Sequence, residues 1–208
     1  MTGLAALGWL AAVSGPVANL SQLWHILRHR RTDGLSLLMW QLLLTVATGW
    51  AMHGLNTGRA NIIATNLVSA LGCFLVLWLT QRERHLGFWR VMAPPVALGL
   101  VVGLLDPHLP PALFGLILLA PAVAGLVFQA LALIRSDDIR GVSPWNLVLN
   151  LTCQVLWTVW SLMAHDPAIT WAGSCTGVAV IINLTLYGLR RGGVLRARPY
   201  RLADRADG

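Results

Sequence analysis

The sequence predicts an all-α integral membrane protein with seven transmembrane helices, arranged as two parallel three-helix repeats joined by a linker helix. Three observations lead to this fold class. The chain is strongly apolar and poor in charge, it contains seven long apolar runs, and it matches itself at a spacing of 107 residues.

The composition excludes most soluble proteins. The 208 residues are 56% hydrophobic and 11% charged, with a mean hydropathy of +0.66. A soluble domain carries about 25% charged residues, and a chain of this size cannot bury so much apolar surface away from water. A soluble enzyme and a disordered chain are both excluded on this ground. The remaining class is a protein whose main partner is the lipid bilayer.

The charged and sulfur-containing residues narrow the function further. All basic residues are arginine, so no lysine is present for a Schiff base or a P-loop. The arginines lie in short loops between apolar runs, which indicates membrane topology rather than nucleic-acid binding. Cys73, Cys153 and Cys175 lie inside apolar runs without a CxxC pair. We therefore expect no metal site and no cofactor.

Seven apolar runs are long enough for transmembrane helices, which need about 20 residues. Their uniform apolarity favours helices over a barrel. They cover residues 4–27, 35–55, 60–79, 88–105, 112–134, 144–163 and 168–189.

The arginines also predict the orientation of the chain. Fourteen arginines fall in the loops after the first, third and fifth runs or in the tail, and only Arg59 falls on the other side. The positive-inside rule then places the N-terminus outside the cell (plasma) membrane and the C-terminus in the cytoplasm.

The chain repeats itself without a gap when shifted by 107 residues. Gln22 then falls on Gln129, Arg28 on Arg135, and Trp50 on Trp157. An odd number of helices per repeat plus one linker gives both repeats the same orientation. The predicted domains are a first repeat (1–86), a linker helix (87–107), a second repeat (108–190) and a basic cytoplasmic tail (191–208).

The linker run carries Gly99 and Gly103, a GxxxG spacing typical of close helix packing.

These features resemble the SWEET sugar transporters and the wider PQ-loop group. Each repeat has a Gln followed by basic residues and then Gly-hydrophobic-Ser, at 34–36 and 141–143. Trp50 lies 16 residues before Asn66, as in that family, whereas Gly173 stands at the equivalent position after Trp157. The resemblance implies alternating-access transport with a pocket between the two repeats.

The predicted substrate pocket follows from the needs of a polar ring. Trp50 and Trp157 can stack on its faces, and the Asn66 amide can donate to and accept from hydroxyls. Asn150, Gln154 and Trp157 share one helical face, for which cavity lining and interhelical bonding both stay open. Val46 and Cys153, one turn before the two tryptophans, are expected to tune the size of the pocket.

Two gates are predicted. By resemblance, Gln22 and Gln129 belong to a cytoplasmic gate, with helix-end hydrogen bonding as the alternative. Arg59 and Asp166 occupy equivalent positions with opposite charges, and we expect them to form an exposed pair across the outer entrance. The alternative is that they are two unrelated loop charges. His53 and Trp160 are expected beneath this pair.

No acidic residue lies inside an apolar run, which favours facilitated diffusion over proton coupling. We therefore expect a uniporter, not an enzyme, for a small neutral polar solute such as a mono- or disaccharide. A PQ-loop transporter of amino acids or another metabolite, and a non-transporting membrane scaffold, are the alternatives. Formation of a homo-oligomer is left open.

Overall fold

The computed structural model describes residues 3–16, 23–24, 28, 36–135, 139 and 144–195. These residues form seven α-helices, a short 3₁₀ turn at Asp106–His108, and no strand. The prediction of an all-α fold is therefore confirmed. The helices are α1 (Gly3–Ser14), α2 (Leu37–Asn56), α3 (Ala60–Glu83), α4 (Phe88–Leu105), α5 (Pro111–Arg135), α6 (Pro144–Met163) and α7 (Pro167–Arg191).

Four segments are individually long and apolar enough to cross a bilayer. They are Ala60–Glu83, Phe88–His108, Pro111–Arg135 and Pro167–Arg191. The other three predicted spans fall short of this criterion over their described residues. Of these, α1 is described over twelve residues, and α2 carries Gln41, His53 and Asn56 among its apolar residues. Together the helices form an integral membrane fold.

The same packing order occurs in both halves. In the first half α3 lies against both α1 and α2, and in the second half α7 lies against both α5 and α6. The halves meet where α1 contacts α6 and where α2 contacts α5. Exchanging α1 for α5 and α2 for α6 converts one contact into the other. This exchange of contacts among the described helices is the pattern that two parallel repeats about an approximate twofold axis produce.

Helix α4 packs closely against α2 through its two glycines. A Cβ atom at Gly99 would lie 2.6 Å from the Cβ of Thr48 and 2.7 Å from the carbonyl oxygen of Thr45. A Cβ atom at Gly103 would overlap Met52. The prediction that these glycines mediate close helix packing is confirmed.

Hydrogen bonds add to the α2–α4 contact. Pro95 inside α4 has no N–H, so the carbonyl of Val91 one turn earlier loses its usual donor. The side-chain amide of Gln41 donates to this carbonyl at 2.9 Å, and the Thr45 hydroxyl donates to the carbonyl of Pro95 at 3.1 Å. The face of α2 that carries Gln41 and Thr45 is therefore used for bonding between helices.

We expect Gly99→Ala to lower the free energy of unfolding by about 1–3 kcal/mol, the usual cost of overpacking. Alanine has the higher helix propensity, so the loss would come entirely from contact with α2. Gly125→Ala in α5 is the matched control, because a Cβ there meets nothing within 4 Å. Melting temperatures in detergent should fall for Gly99→Ala only; equal shifts in both variants would contradict the packing argument.

Candidate functional site

A cavity of about 240 Å³ lies between the two halves and is lined by sixteen residues. Its wall is formed by residues of α2, α3, α5, α6 and α7 and by Gly15, which directly follows α1. Twelve of the sixteen residues form six pairs at the 107-residue spacing, so the cavity lies on the approximate twofold axis. The pairs are Gly15/Ala122, Trp50/Trp157, Ile62/Ile169, Thr65/Ala172, Asn66/Gly173 and Ser69/Thr176.

Five of the seven predicted binding residues line this cavity: Val46, Trp50, Asn66, Gln154 and Trp157.

The other two, Asn150 and Cys153, are not among the lining residues. The side-chain oxygen Oδ1 of Asn150 accepts a long hydrogen bond of 3.4 Å from the Gln154 side-chain amide. The Cys153 sulfur accepts one of 3.1 Å from the Ser14 hydroxyl. Asn150 thus contacts a residue of the wall, and Cys153 joins α6 to the end of α1.

The wall is uncharged and carries few free polar groups. The Asn66 amide donates to the Ile62 carbonyl at 2.9 Å, so its Nδ2 is partly committed to its own helix, whereas Oδ1 has no hydrogen bond among the described residues. The Thr65 hydroxyl is committed to the Ala12 carbonyl at 2.7 Å. None of the sixteen lining residues is acidic or basic. Such a wall suits a neutral solute.

Sequence reasoning missed two hydroxyl residues of the wall, Ser69 and Thr176. They occupy equivalent positions of the two repeats, and both lie seven residues after an isoleucine that also lines the cavity. The 107-residue shift aligns them and could have identified them.

One end of the bundle is closed by a buried ionic cluster. At this end, called here the capped end, α2 and α6 finish and α3 and α7 begin. His53 places Nδ1 2.9 Å from Asp106 Oδ2 and Nε2 3.1 Å from Asp166 Oδ2. The Arg59 Nε lies 3.6 Å from Asp166 Oδ2, and its Nη2 donates to the Ala164 carbonyl at 2.5 Å.

The expectation of an exposed Arg59–Asp166 pair is wrong. Asp166 is only 3% exposed and His53 only 5%. Both acidic side chains of the cluster follow helix ends in the sequence, but the short loops fold back into the bundle. The pair is therefore desolvated at the Asp166 carboxylate, while the Arg59 side chain stays 23% exposed. Removing a partner from the buried carboxylate costs more than breaking a pair that is exposed on both sides.

An aromatic layer separates the ionic cluster from the cavity. Trp50 meets His53 edge-on at 5.4 Å, and Trp157 meets Trp160 edge-on at 5.5 Å, in equivalent positions of the two repeats. Phe114 of α5 stacks on His53 at 5.1 Å. Four predicted gate residues, His53, Arg59, Trp160 and Asp166, are thus placed together beside the tryptophans of the cavity.

Asp166 has a second structural role, because its Oδ1 accepts the backbone N–H of Ile169 at 3.2 Å and caps α7. Burial raises the pKa of Asp166. The hydrogen bond from His53, the charges of His53 and Arg59, and the Ile169 N–H outweigh this effect, so the pKa lies below its ordinary value.

Asp106 was not predicted as a site residue, since Asp-Pro after a helix indicates only a turn.

The structure describes one of the two residues predicted for the cytoplasmic gate. Gln22 lies outside the described residues. Gln129 is half-buried on α5, six residues before the helix ends at Arg135 and away from the capped end. Its role in a gate stays a prediction.

Comparison with known proteins bears on the fold. No protein-family model and no curated protein matches the chain. A solved structure of a eukaryotic SWEET transporter is similar, with a TM-score of 0.71 and 13% identity over 91% of this chain and 95% of that one. Similarity at this identity concerns the fold, and the resemblance stated from the sequence is confirmed at that level. The chain has the fold of that SWEET transporter structure.

Proposed function

We propose that this protein is a facilitative transporter that carries a small neutral polar solute across the membrane by alternating access. The observation that carries the proposal is the uncharged cavity on the twofold axis, with one tryptophan from each repeat in its wall. Transporters built from parallel repeats bind their substrates at such an interface, near the middle of the membrane.

The size of the cavity points to a monosaccharide. A volume of about 240 Å³ corresponds to about eight waters at roughly 30 Å³ each. Covalently joined atoms pack more closely than liquid water, so the space suits a solute with about a dozen non-hydrogen atoms. A hexose fits this size.

The chemistry of the wall points in the same direction. Trp50 and Trp157 offer flat apolar surfaces for the C–H faces of a ring. The Asn66 oxygen, the Ser69 hydroxyl and the Gln154 amide are polar groups for its hydroxyls. The two repeats line the cavity differently, because the position of Asn66 in the first repeat is occupied by Gly173 in the second. One side of the ring is then held mainly by hydrogen bonds and the other mainly by contact.

The arrangement also supports a rocking motion of the two halves. They touch through α1 with α6 and α2 with α5, and the capped end adds the His53–Asp166 contact between α2 and the start of α7. Breaking the contact between His53 and Asp166 would open the cavity at the capped end. We place this end outside the plasma membrane, with the C-terminal tail in the cytoplasm. Apart from Arg59, the arginines of the described helices α3, α4, α5 and α7 lie at the ends of these helices away from the capped end.

Counterflow in proteoliposomes tests the proposal. Radiolabelled glucose and sucrose are offered without an ion gradient to the wild type, Trp50→Ala and Asn66→Ala. Glucose is expected to exchange faster than sucrose, and each variant should lose about tenfold or more, the value of one 1.4 kcal/mol contact.

Thr152→Ala is the matched control, since Thr152 is exposed on α6 and, among the described residues, its hydroxyl bonds only to the Val148 carbonyl of its own helix. Sugar exchange that both cavity variants leave unchanged would contradict the proposed pocket. Exchange of an amino acid instead of a sugar, with the same sensitivity to the variants, would keep the pocket and change the substrate.

A further inference from the structure

The contacts of His53 require an additional proton. Its two ring nitrogens lie 2.9 Å and 3.1 Å from carboxylate oxygens of Asp106 and Asp166. A neutral imidazole has one N–H donor and one lone pair, and an ionised carboxylate can only accept. Both contacts are hydrogen bonds only if the ring carries two protons or one of the carboxyl groups is protonated. The closed cluster therefore holds one proton more than a neutral histidine with two carboxylates.

The charge balance of the cluster leads to the same conclusion. Asp106 faces His53 from the turn after α4, Asp166 from the start of α7, and Arg59 approaches Asp166 from the start of α3. The residues of α5 and α6 at this point, Phe114 and Trp160, are uncharged.

The nearby histidines His108 and His165 are exposed. With a neutral His53, two buried carboxylates face one guanidinium, and the added proton brings the net charge to zero. An unbalanced charge in so buried a site is strongly disfavoured.

We propose that His53, Asp106 and Asp166 form a proton-binding site that is filled when the capped end is closed and emptied when it opens. This inference rests on the proposed transport function. His53 belongs to the first repeat and Asp166 to the second, so the proton links the two halves. On opening, the proton passes to the water at the capped end, and it returns from the same side on closing. No net proton crosses the membrane, and the protein is a uniporter whose rate depends on pH.

Solute exchange at equal pH on both sides of the membrane tests this site. Between pH 5.5 and 8 the wild-type rate should depend on pH: it rises where opening of the capped end limits exchange and falls where closing limits it. Either change is at most about tenfold per pH unit, because each unit changes the protonation balance by about 1.36 kcal/mol. A pH gradient should not drive accumulation of the solute. A rate that is independent of pH would overturn the proposal.

Two variants and one control assign the effect to the cluster. His53→Gln has no titrating ring, and its exchange rate should be flat over this pH range. Asp106→Asn can donate to the lone pair of a neutral His53, so the closed end forms without the added proton and the rate should also be flat. Asn56, which bonds both Asp106 and the Gly103 carbonyl, keeps the second bond in this variant. His108→Gln, an exposed change beside the cluster, should keep the wild-type pH dependence.

Thermal unfolding in detergent gives a readout that does not need transport. A proton bound in the folded state stabilises the protein at low pH, and this contribution disappears as the pH rises. The melting temperature of the wild type relative to His53→Gln should therefore fall between pH 5.5 and 8. A constant difference would overturn the proton site. If the difference falls but no solute is exchanged, the proton site stands and the transport function fails.

Discussion

Replacing Asp166 by alanine is expected to lower the free energy of unfolding by about 3–5 kcal/mol, the usual loss when one partner of a buried ion pair is removed. His53 and the Arg59 guanidinium would lose their shared carboxylate, which belongs to a residue only 3% exposed. The cap of α7 at Ile169 would disappear at the same time. No other single carboxylate among the described residues combines these roles.

Chemical or thermal unfolding of purified protein would measure this effect. Glu83→Ala is the control, because Glu83 is exposed at the end of α3 and its removal should change stability by less than about 0.5 kcal/mol. Asp166→Asn keeps a capping oxygen, so it should fall between the wild type and the alanine variant. An alanine variant as stable as Glu83→Ala would contradict the buried cluster.

The effect of Asp166→Ala should also depend on pH with a known sign. Folding lowers the pKa of Asp166 below its ordinary value of 3.8. The stability that the carboxylate contributes is then fully present above that value and is lost as the pH falls towards the lower value in the folded protein. The gap between wild type and variant should therefore shrink in acid.

Introducing asparagine at position 173, to match Asn66, is expected to abolish exchange rather than improve it. A Cβ at Gly173 would lie 2.6 Å from the Thr158 hydroxyl oxygen, so α7 could not keep its distance from α6. The position equivalent to Thr158 in the first repeat is Ala51, a smaller residue. Gly173→Asn should cost about 1–3 kcal/mol of stability through overpacking.

A second substitution separates this steric effect from a loss of function by chemistry. Gly173→Asn with Thr158→Ala reproduces the pairing of the first repeat and should recover most of the lost stability. Its exchange should stay below wild type, because the new side chain occupies part of the cavity. Gly188→Asn on the same helix, where a Cβ meets nothing within 4 Å, should behave like the wild type. Additive effects of the two substitutions on stability would contradict the contact.

The fold was predictable from the sequence because apolar runs and arginine positions are direct consequences of the bilayer. The ends of α4 and α6 fall at the predicted residues, and the repeat anticipated the relation of Trp50 to Trp157. The 107-residue shift works for the cavity because equivalent residues of two repeats meet at their common axis.

The capped end was less predictable. Asp106 and Asp166 follow helix ends, where acidic residues usually face water, and nothing in the local sequence shows that the loops fold inward. The face of α2 that carries Gln41 and Thr45 is also ambiguous when only the sequence is considered. Gln41 and Thr45 could line the cavity or bond to a neighbouring helix. Only the position of α4 decides, because Pro95 leaves the Val91 carbonyl without its helical donor and Gln41 donates to it instead. Pairing between distant segments cannot be inferred from the pattern of one segment.

The opposite charges of Arg59 and Asp166 have a consequence for how such a protein can arise. In a symmetric dimer of identical three-helix chains, any residue next to the axis meets its own copy, so arginine would face arginine or aspartate would face aspartate. Joining the two units into one chain removes this constraint, because each copy can then change by itself. His53 and Trp160, also at equivalent positions, show the same divergence. Duplication followed by fusion thus permits an attractive closure that an assembly of identical subunits cannot build at its axis.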